Sequence, residues 1–272
     1  MAIVKGVLQL QGSLENVTYY KRRGSDQIIA RTKQGPSKEK LATDPKYAGF
    51  RNHQREWKGC AKFGSLARYA FGGLHRLADY NLTPVLNGMG KNLMKKEPDP
   101  NPGKRSIRLS EHKQGLEGFN FNKKNPFNTV LRVGITGQID RENLLATVTI
   151  PRIKTDIDLV NIQRLPYFRL IAAIGTVSDM HFDETEEAYV PAVLGLHGTS
   201  KVLNSPWYPS QSIVPGQIMT VQMSKAQQSL LTNEITVLLS MAVEFGTVGV
   251  DGETVEVKYA GCGKVLNSVR LR

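Results

Sequence analysis

The residues between Asp179 and Glu187 form the densest group of side chains with metal-binding chemistry in the sequence. Asp179, His181 and Asp183 alternate along the chain. A β-strand would place all three on one face, where carboxylate and imidazole groups can coordinate a metal ion. The same residues also fit a solvated hairpin tip that follows a hydrophobic strand. Because no second set of ligands accompanies them, the sequence predicts no metal site and no cofactor.

Asp156 and Asp158 form a second pair of carboxylates with alternate spacing. Two carboxyl groups on one strand face can divide the acid and base roles of a catalyst if burial raises the pKa of one. Arg152 and Lys154 occupy the same alternate positions, which indicates an exposed polar face. We therefore expect no catalytic role for this pair.

Motifs for nucleophilic catalysis and nucleotide binding are missing from the sequence. None of its five histidines has the H-x-x-x-H spacing of a helical zinc site, and neither G-x-S-x-G nor G-x-G-x-x-G occurs. Residues 103–106 match only the end of a phosphate-binding loop, since Pro98 replaces the first glycine and Arg105 replaces the serine or threonine. The chain is predicted to be non-enzymatic.

Basic residues are concentrated in one segment. The sequence has 36 Lys and Arg against 24 Asp and Glu, and residues 21–96 hold 17 of the former and five of the latter. This segment carries a charge equal to the entire net charge of +12, which favours an anionic partner. An acidic sister subunit and nucleic acid both fit, and a merely solvated basic face needs neither. The predicted contact residues are Arg22, Arg23, Arg51, Arg55, Lys58 and Lys62.

Aromatic side chains are interleaved with these cations. Such surfaces bind single-stranded nucleic acid by base stacking and phosphate contacts. Tyr47, Phe50 and Trp57 recur at helical spacing, however, which favours an amphipathic helix with its aromatic side chains in the core and its cations in solvent.

Residues 1–96 are predicted to form a β-ribbon followed by a basic helical region. The ribbon strands are expected at 3–10, 16–20 and 27–32, with a break at Gly12-Ser13 and a basic hairpin turn at 21–26. The sequence Thr43-Asp44-Pro45 is typical of a helix start, and two or three helices are predicted within 43–96. The last begins near Thr83, because Pro84 is tolerated only near a helix start.

The rest of the chain is predicted to be a separate β-domain. Residues 97–105 contain three prolines and are interpreted as a linker. Residues 106–272 hold runs of apolar alternation separated by turn residues, which indicates an antiparallel β-sandwich of roughly seven to nine strands. The nearly continuous apolar run 168–177 predicts a central strand buried on both faces. The predicted fold class is α+β.

The N-terminal motifs resemble those of a known group of proteins. They comprise a glycine-containing hairpin (Gly12, Tyr19, Gly24), a strand end at Ile29–Thr32, the Thr43-Asp44-Pro45 helix start and a helix with Arg51, Gln54 and Trp57. This arrangement, over about residues 6–70, resembles uncharacterised Bacteroidota proteins, some of them phage-like or derived from mobile elements. The resemblance implies a structural or assembly role and supplies no catalytic residue.

Taken together, these patterns predict a structural protein that self-assembles or docks into a larger assembly, phage-like or filamentous in kind. Binding of nucleic acid through residues 21–96 is the alternative. The expected partners are copies of the same chain or sister subunits.

The N-terminus lacks the charged and apolar regions of a signal peptide, so we expect a cytoplasmic location, including within a released particle. No membrane partner is expected, because the longest apolar stretches fall far short of about 20 residues. Cys60 and Cys262 are predicted to be free buried thiols.

Overall fold

The computed structural model describes residues 2–4, 11–22, 25–32, 35–97, 101–112 and 115–270. The chain divides into two compact units, Met1–Arg51 and Asn52–Arg272. The predicted boundary at 97–105 therefore lies inside the second unit. The division in the structure follows tertiary contacts, and the helices after residue 52 share a hydrophobic core with the strands that follow them.

The first unit contains a small antiparallel sheet with the strand order β1-β4-β3-β2. Its strands are β1 (Ala2–Val4), β2 (Gly12–Leu14), β3 (Val17–Lys21) and β4 (Ile28–Thr32). The strands predicted at 16–20 and 27–32 are confirmed to within a residue, whereas most of the strand predicted at 3–10 lies outside the described residues. The break predicted at Gly12-Ser13 is wrong, because these residues pair with β3 as part of β2.

Helices follow this sheet. They are α1 (Lys38–Thr43), a short 3₁₀ turn (Pro45–Tyr47), α2 (Ala48–Tyr69) and α3 (Leu82–Lys96). The Asp44 side chain accepts a hydrogen bond from the backbone N–H of Lys46, and Asn81 caps α3 in the same way through Thr83. α1 was not predicted. Gly72 and Gly73 separate α2 from α3 because both adopt positive φ angles, 63° and 77°.

The remaining elements of the second unit are mostly strands. Three single-turn helices are α4 (Phe127–Val130), α5 (Thr155–Asp158) and α6 (Lys225–Gln228). The strands are β5 (Thr136–Asp140), β6 (Leu145–Ile150), β7 (Ile153–Lys154), β8 (Tyr167–Ser178), β9 (Met180–Asp183), β10 (Ala188–Pro191), β11 (Ser200–Asn204), β12 (Tyr208–Pro209), β13 (Ile213–Val214), β14 (Gln217–Gln222), β15 (Ile235–Val248) and β16 (Thr254–Val269).

Two antiparallel sheets form most of the second unit. The larger has five strands in the order β11-β8-β15-β16, with β12 also paired to β8, and the smaller has the order β14-β6-β5. Strands β9 and β10 form a hairpin, and β7 pairs with β13. The described residues are thus α+β, with antiparallel sheets after the N-terminal sheet and helices.

The five-stranded sheet is covered on both faces. From one face Ile171, Ala173 and Leu238 join a core with α2 and α3, while Leu170 and Leu239 project from the opposite face into a core with the three-stranded sheet. This arrangement confirms the prediction that 168–177 forms a central strand buried on both faces. It also explains why α3 and most of α2 belong to the second unit: they cover a hydrophobic sheet face that would otherwise be exposed.

Candidate functional site

Arg22, one of the predicted contact residues, lies at the start of the N-terminal hairpin turn. Arg22 is exposed at the end of β3, whereas Arg23 lies outside the described residues. The turn is held by an ion pair of 2.6 Å between Lys21 and Asp26. Strands β3 and β4 pair from Val17 to Lys21, so the predicted basic hairpin is present in the described part of the chain.

Arg51 has an intramolecular role in the first unit. Its Nη1 atom donates hydrogen bonds of 2.9 Å to the carbonyl oxygens of Leu41 and Asp44. The Leu41 carbonyl belongs to the last turn of α1, where helical hydrogen bonds run out, and the Asp44 carbonyl also accepts a 3.0 Å hydrogen bond from the Tyr47 N–H of the next turn. The guanidinium group of Arg51 therefore closes the junction between α1 and α2.

Arg55 and Lys62 contact the β9–β10 hairpin from α2. The guanidinium carbon of Arg55 lies 5.2 Å from the centroid of the Phe182 ring, and Lys62 Nζ donates a 2.9 Å hydrogen bond to the carbonyl oxygen of Tyr189. Both cations therefore fix this hairpin against the helix, although Lys62 remains largely exposed.

Lys58 is exposed on α2 beside Trp57, whose side chain is 44% exposed. Phe50 is equally exposed, so the prediction that the helix buries these aromatic side chains is wrong. The buried face of α2 consists mainly of small residues, and α2 packs very closely. A Cβ atom at Gly64 would lie 2.3 Å from Asn87 Oδ1, and one at Gly59 would lie 2.5 Å from the Tyr189 ring. An indole has no room at such a contact.

Glu56 is the most strongly paired buried carboxylate. It lies on the buried side of α2 and accepts hydrogen bonds from Arg105 Nε and Nη2 at 2.7 and 2.8 Å, and from the Gly103 N–H at 2.9 Å. Lys91 on α3 forms an ion pair with the same carboxylate. Although burial opposes ionisation, these cations and donors lower the pKa of Glu56 to about 2. The cluster joins two helices and the segment 101–108.

Glu244 in β15 is a second buried carboxylate with two cationic partners. Arg76 pairs with one carboxylate oxygen, and Arg169 Nε donates a 2.8 Å hydrogen bond to the other. Arg169 also pairs with Glu256 at 3.0 Å, and its guanidinium carbon lies 4.4 Å from the Trp207 ring centroid. These contacts tie β8 and β15 to β16 and to the residues after α2.

Asp179, the first residue of the predicted metal triad, is buried. Its carboxylate accepts hydrogen bonds from the Ser110 N–H at 2.9 Å and from the Ser110 hydroxyl. Burial raises the pKa of Asp179 to about 6. His181 is exposed. Asp183 accepts hydrogen bonds from backbone N–H groups in the hairpin turn that follows. The described residues contain no group of three or more His, Cys, Asp and Glu side chains that could hold a metal ion.

His197 is buried close to this segment. Its Nδ1 atom accepts a 3.0 Å hydrogen bond from the Ser178 N–H, so this nitrogen is unprotonated. Burial, assisted by the charge of Lys62, lowers the pKa of His197 to about 4. A neutral imidazole bonded to β8 has a structural role here.

The carboxylates of Asp156 and Asp158 belong to the helical turn α5, so their predicted strand placement is wrong. Asp158 accepts a 2.8 Å hydrogen bond from the Lys154 N–H, which places its carboxylate at the start of that turn. Short polar side chains favour this local hydrogen bond over continued strand pairing.

The predicted thiols are free: Cys60 and Cys262 are both buried and unpaired with each other. Burial raises the pKa of Cys60 to about 11, so its thiol is protonated and a poor nucleophile near neutral pH.

The end of the β15–β16 hairpin extends beyond the sheet. Among the described residues, strand β8 pairs with β15 only as far as Gly246, opposite Tyr167, and residues 247–255 pair only with one another. We call 247–255 the hairpin arm. Val250 at its tip is fully exposed, and Val248 and Val255 are about half exposed.

Comparison with known protein families, with curated proteins and with solved structures finds no match for this chain. Within the described residues, no helix has the length and apolar character needed to cross a membrane.

Proposed function

We propose that the chain is a non-enzymatic structural subunit that self-associates into a larger assembly. The observation that carries this proposal is the composition of the N-terminal sheet. Among the described residues of the first unit, only Ile28 and Ile29 are buried hydrophobic side chains. A sheet of three- to five-residue strands with so small a core is marginal in water and requires a further surface.

The roles of the buried charged groups support a structural subunit. Glu56, Glu244 and Asp179 each bind donors from elements distant in sequence, and each holds those elements together. Perturbed pKa values also occur in structural ion-pair networks. These pairings hold elements of the second unit together, which suits a subunit that must present fixed surfaces to its neighbours.

Size-exclusion chromatography with light scattering, after nuclease treatment and at low and high salt, tests this proposal. We expect particles larger than a monomer that persist in high salt, because salt does not screen apolar contacts. Ile3→Asp, at a 52% exposed position of the N-terminal sheet, should reduce particle size. Ile157→Asp is the matched control, since Ile157 is 60% exposed on α5. A wild-type protein that stays monomeric at high concentration contradicts the proposal.

The exposed pair Trp57 and Lys58 favours nucleic-acid binding as the second candidate function. An exposed indole beside a cation is suited to base stacking combined with a phosphate contact. Fluorescence anisotropy with single-stranded oligonucleotides would then show a salt-dependent affinity, with a slope of about −0.7 per phosphate contacted. Trp57→Ala and Lys58→Ala should each weaken binding, whereas Lys201→Ala, at an exposed lysine on β11, should not. Absence of binding at low salt excludes this function.

A further inference from the structure

The hairpin arm has the construction of a docking element. Its two strands continue beyond the last pairing of β8 with β15, so the arm is a two-stranded ribbon, which is marginally stable in water by itself. The turn is nevertheless defined, because the Gly249 N–H donates a 2.7 Å hydrogen bond to the carbonyl oxygen of Glu253. The tip of this ribbon presents the fully exposed Val250 to solvent.

The arm also carries negative charge around its apolar tip. Residues 247–255 contain Asp251 and Glu253 and no Lys or Arg, so the arm has a charge of −2. Both acidic side chains are exposed. Asp251 Oδ1 accepts a 3.1 Å hydrogen bond from the Glu253 N–H, which fixes its position in the turn. The arm therefore presents valines flanked by carboxylates, and it suits a surface that is apolar and basic.

One face of the N-terminal sheet is such a surface. The strand register places Ile3 and Tyr20 opposite Ile29 on the two neighbouring strands, so all three share a face, and Arg31, two residues after Ile29, lies on it too. Ile3 is 52% exposed, Tyr20 is 39% exposed and Arg31 is exposed, whereas Ile29 between them is only 7% exposed, so the apolar area open to a partner is that of Ile3 and Tyr20. Residues 1–51 contain ten Lys or Arg and four Asp or Glu, a net charge of +6.

We propose that the hairpin arm of one copy docks on the N-terminal sheet of a second copy, with Val250 against Ile3 and Tyr20. Asp251 and Glu253 would then face the cations of the sheet. The inference rests on the proposed self-association and identifies the two surfaces that carry it. The arm and the sheet are each marginally stable alone, and they have opposite charges and exposed apolar side chains. Packing against one another therefore stabilises both.

This contact is heterologous, because it joins two different surfaces of the same chain. Every copy in an assembly can offer its arm to one neighbour and accept the arm of another. Repetition of such a contact produces a ring if the rotation closes and an open filament if it does not.

Charge reversal on the arm is the first test. Asp251→Lys/Glu253→Lys should abolish the association that sedimentation velocity detects in the wild type, because like charges would then meet across the contact. Glu186→Lys/Glu187→Lys makes the same change of charge at exposed positions in the β9–β10 turn and is the matched control. Assembly of the arm variant with wild-type affinity overturns the inference while leaving the proposed self-association intact.

Charge reversal on the sheet completes the test. Arg22→Glu/Arg31→Glu should also be monomeric alone. Mixing it with the arm variant should restore association, because the basic arm of one variant then meets the acidic sheet of the other, and the acidic arm meets the basic sheet. The recovery on mixing shows that both variants are folded. Loss of association in both variants without recovery on mixing overturns the proposed contact.

A neutral probe of the apolar tip separates packing from charge. Val250→Ser should weaken association by about 30-fold if this valine is a central anchor of the interface. If the wild-type protein associates only while nucleic acid is present, the proposed self-association is wrong. This result differs from a failure of the arm–sheet contact alone, in which the wild-type protein still self-associates.

Discussion

At the residue scale, the strongest interactions surround carboxylates whose partners are far apart in sequence. Glu56 lies within a helix rich in Lys and Arg, and the sequence pattern gives no sign that it is buried. Its partners Lys91 and Arg105 are 35 and 49 residues away, so only the folded chain brings them together. The charged side chains can be identified from the sequence. Which of them are buried and paired in the folded chain cannot be predicted from it.

Glu56→Gln should lower the free energy of unfolding by about 3 kcal/mol, because it leaves two cations without their shared buried countercharge. Urea unfolding followed by circular dichroism measures this change. Glu184→Gln is the control, since Glu184 pairs with Lys104 in an exposed position and should contribute less than about 1 kcal/mol. Equal effects of the two substitutions would contradict the assigned role of Glu56.

Asp179 and His197 should give opposite pH dependences of stability in the same range. The folded-state pKa of Asp179, about 6, lies above its ordinary value of 3.8, so its contribution makes stability fall as the pH rises through this window. The folded-state pKa of His197, about 4, lies below 6.5, so its contribution makes stability rise with pH. The two effects therefore oppose each other between pH 4 and 6.

Asp179→Asn should make the stability of the protein rise more steeply from pH 4 to 6, by up to about 1.4 kcal/mol per pH unit for one proton. Chemical denaturation at several pH values measures the slope. Asp183→Asn should leave the slope in this range unchanged, because hydrogen bonds in the turn lower the pKa of Asp183 below its ordinary value. A slope that becomes shallower in Asp179→Asn would show that the carboxyl is ionised in the folded state.

At the scale of elements, close packing decides where the sequence prediction succeeds. The apolar run 168–177 was correctly predicted as a central strand, because residues that are apolar at every position require cover on both faces. The orientation of α2 was predicted incorrectly. Helical spacing groups the aromatic side chains near Trp57, but the face that is buried contains Gly59 and Gly64, which let it approach its neighbours closely. Spacing alone does not reveal which face gains more contact.

Gly175→Ala should destabilise the second unit by about 3 kcal/mol, because a Cβ atom there would lie 1.8 Å from the carbonyl oxygen of Ala70. Gly88→Ala in α3 meets nothing within 4 Å and should raise the free energy of unfolding by about 0.5 to 1 kcal/mol through helix propensity. Thermal unfolding of the two variants measures both effects. Similar shifts for both would contradict the close approach of β8 to the end of α2.

At the scale of the whole molecule, the division into units was the least predictable feature. The prolines of 97–105 have the composition of a linker, yet Arg105 and Gly103 bind Glu56 and hold this segment within the second unit. The fold class could be predicted because the spacing of apolar residues within a short segment indicates a helix or a strand. The boundary between the two units could not be predicted, because it depends on which surfaces meet after folding.

The first unit should be less stable than the second in an isolated monomer. Hydrogen–deuterium exchange at low protein concentration should show rapid exchange in β3 and β4 and slow exchange in β8 and β15, because only the latter lie within a large core. At assembly concentrations the exchange of β3 and β4 should slow. Slow exchange in β3 and β4 of the dilute monomer would indicate that the small sheet is stable without a partner.

The central position of β15 has a consequence for biosynthesis. Strand β8 ends at Ser178 and its main partner begins at Ile235, 57 residues later. At roughly 5 to 20 residues per second, a ribosome leaves the apolar edge of β8 unpaired for on the order of 3 to 10 s. Nascent chains in this interval expose a long apolar strand edge, and such an edge is prone to pair with the strands of other chains before β15 is made.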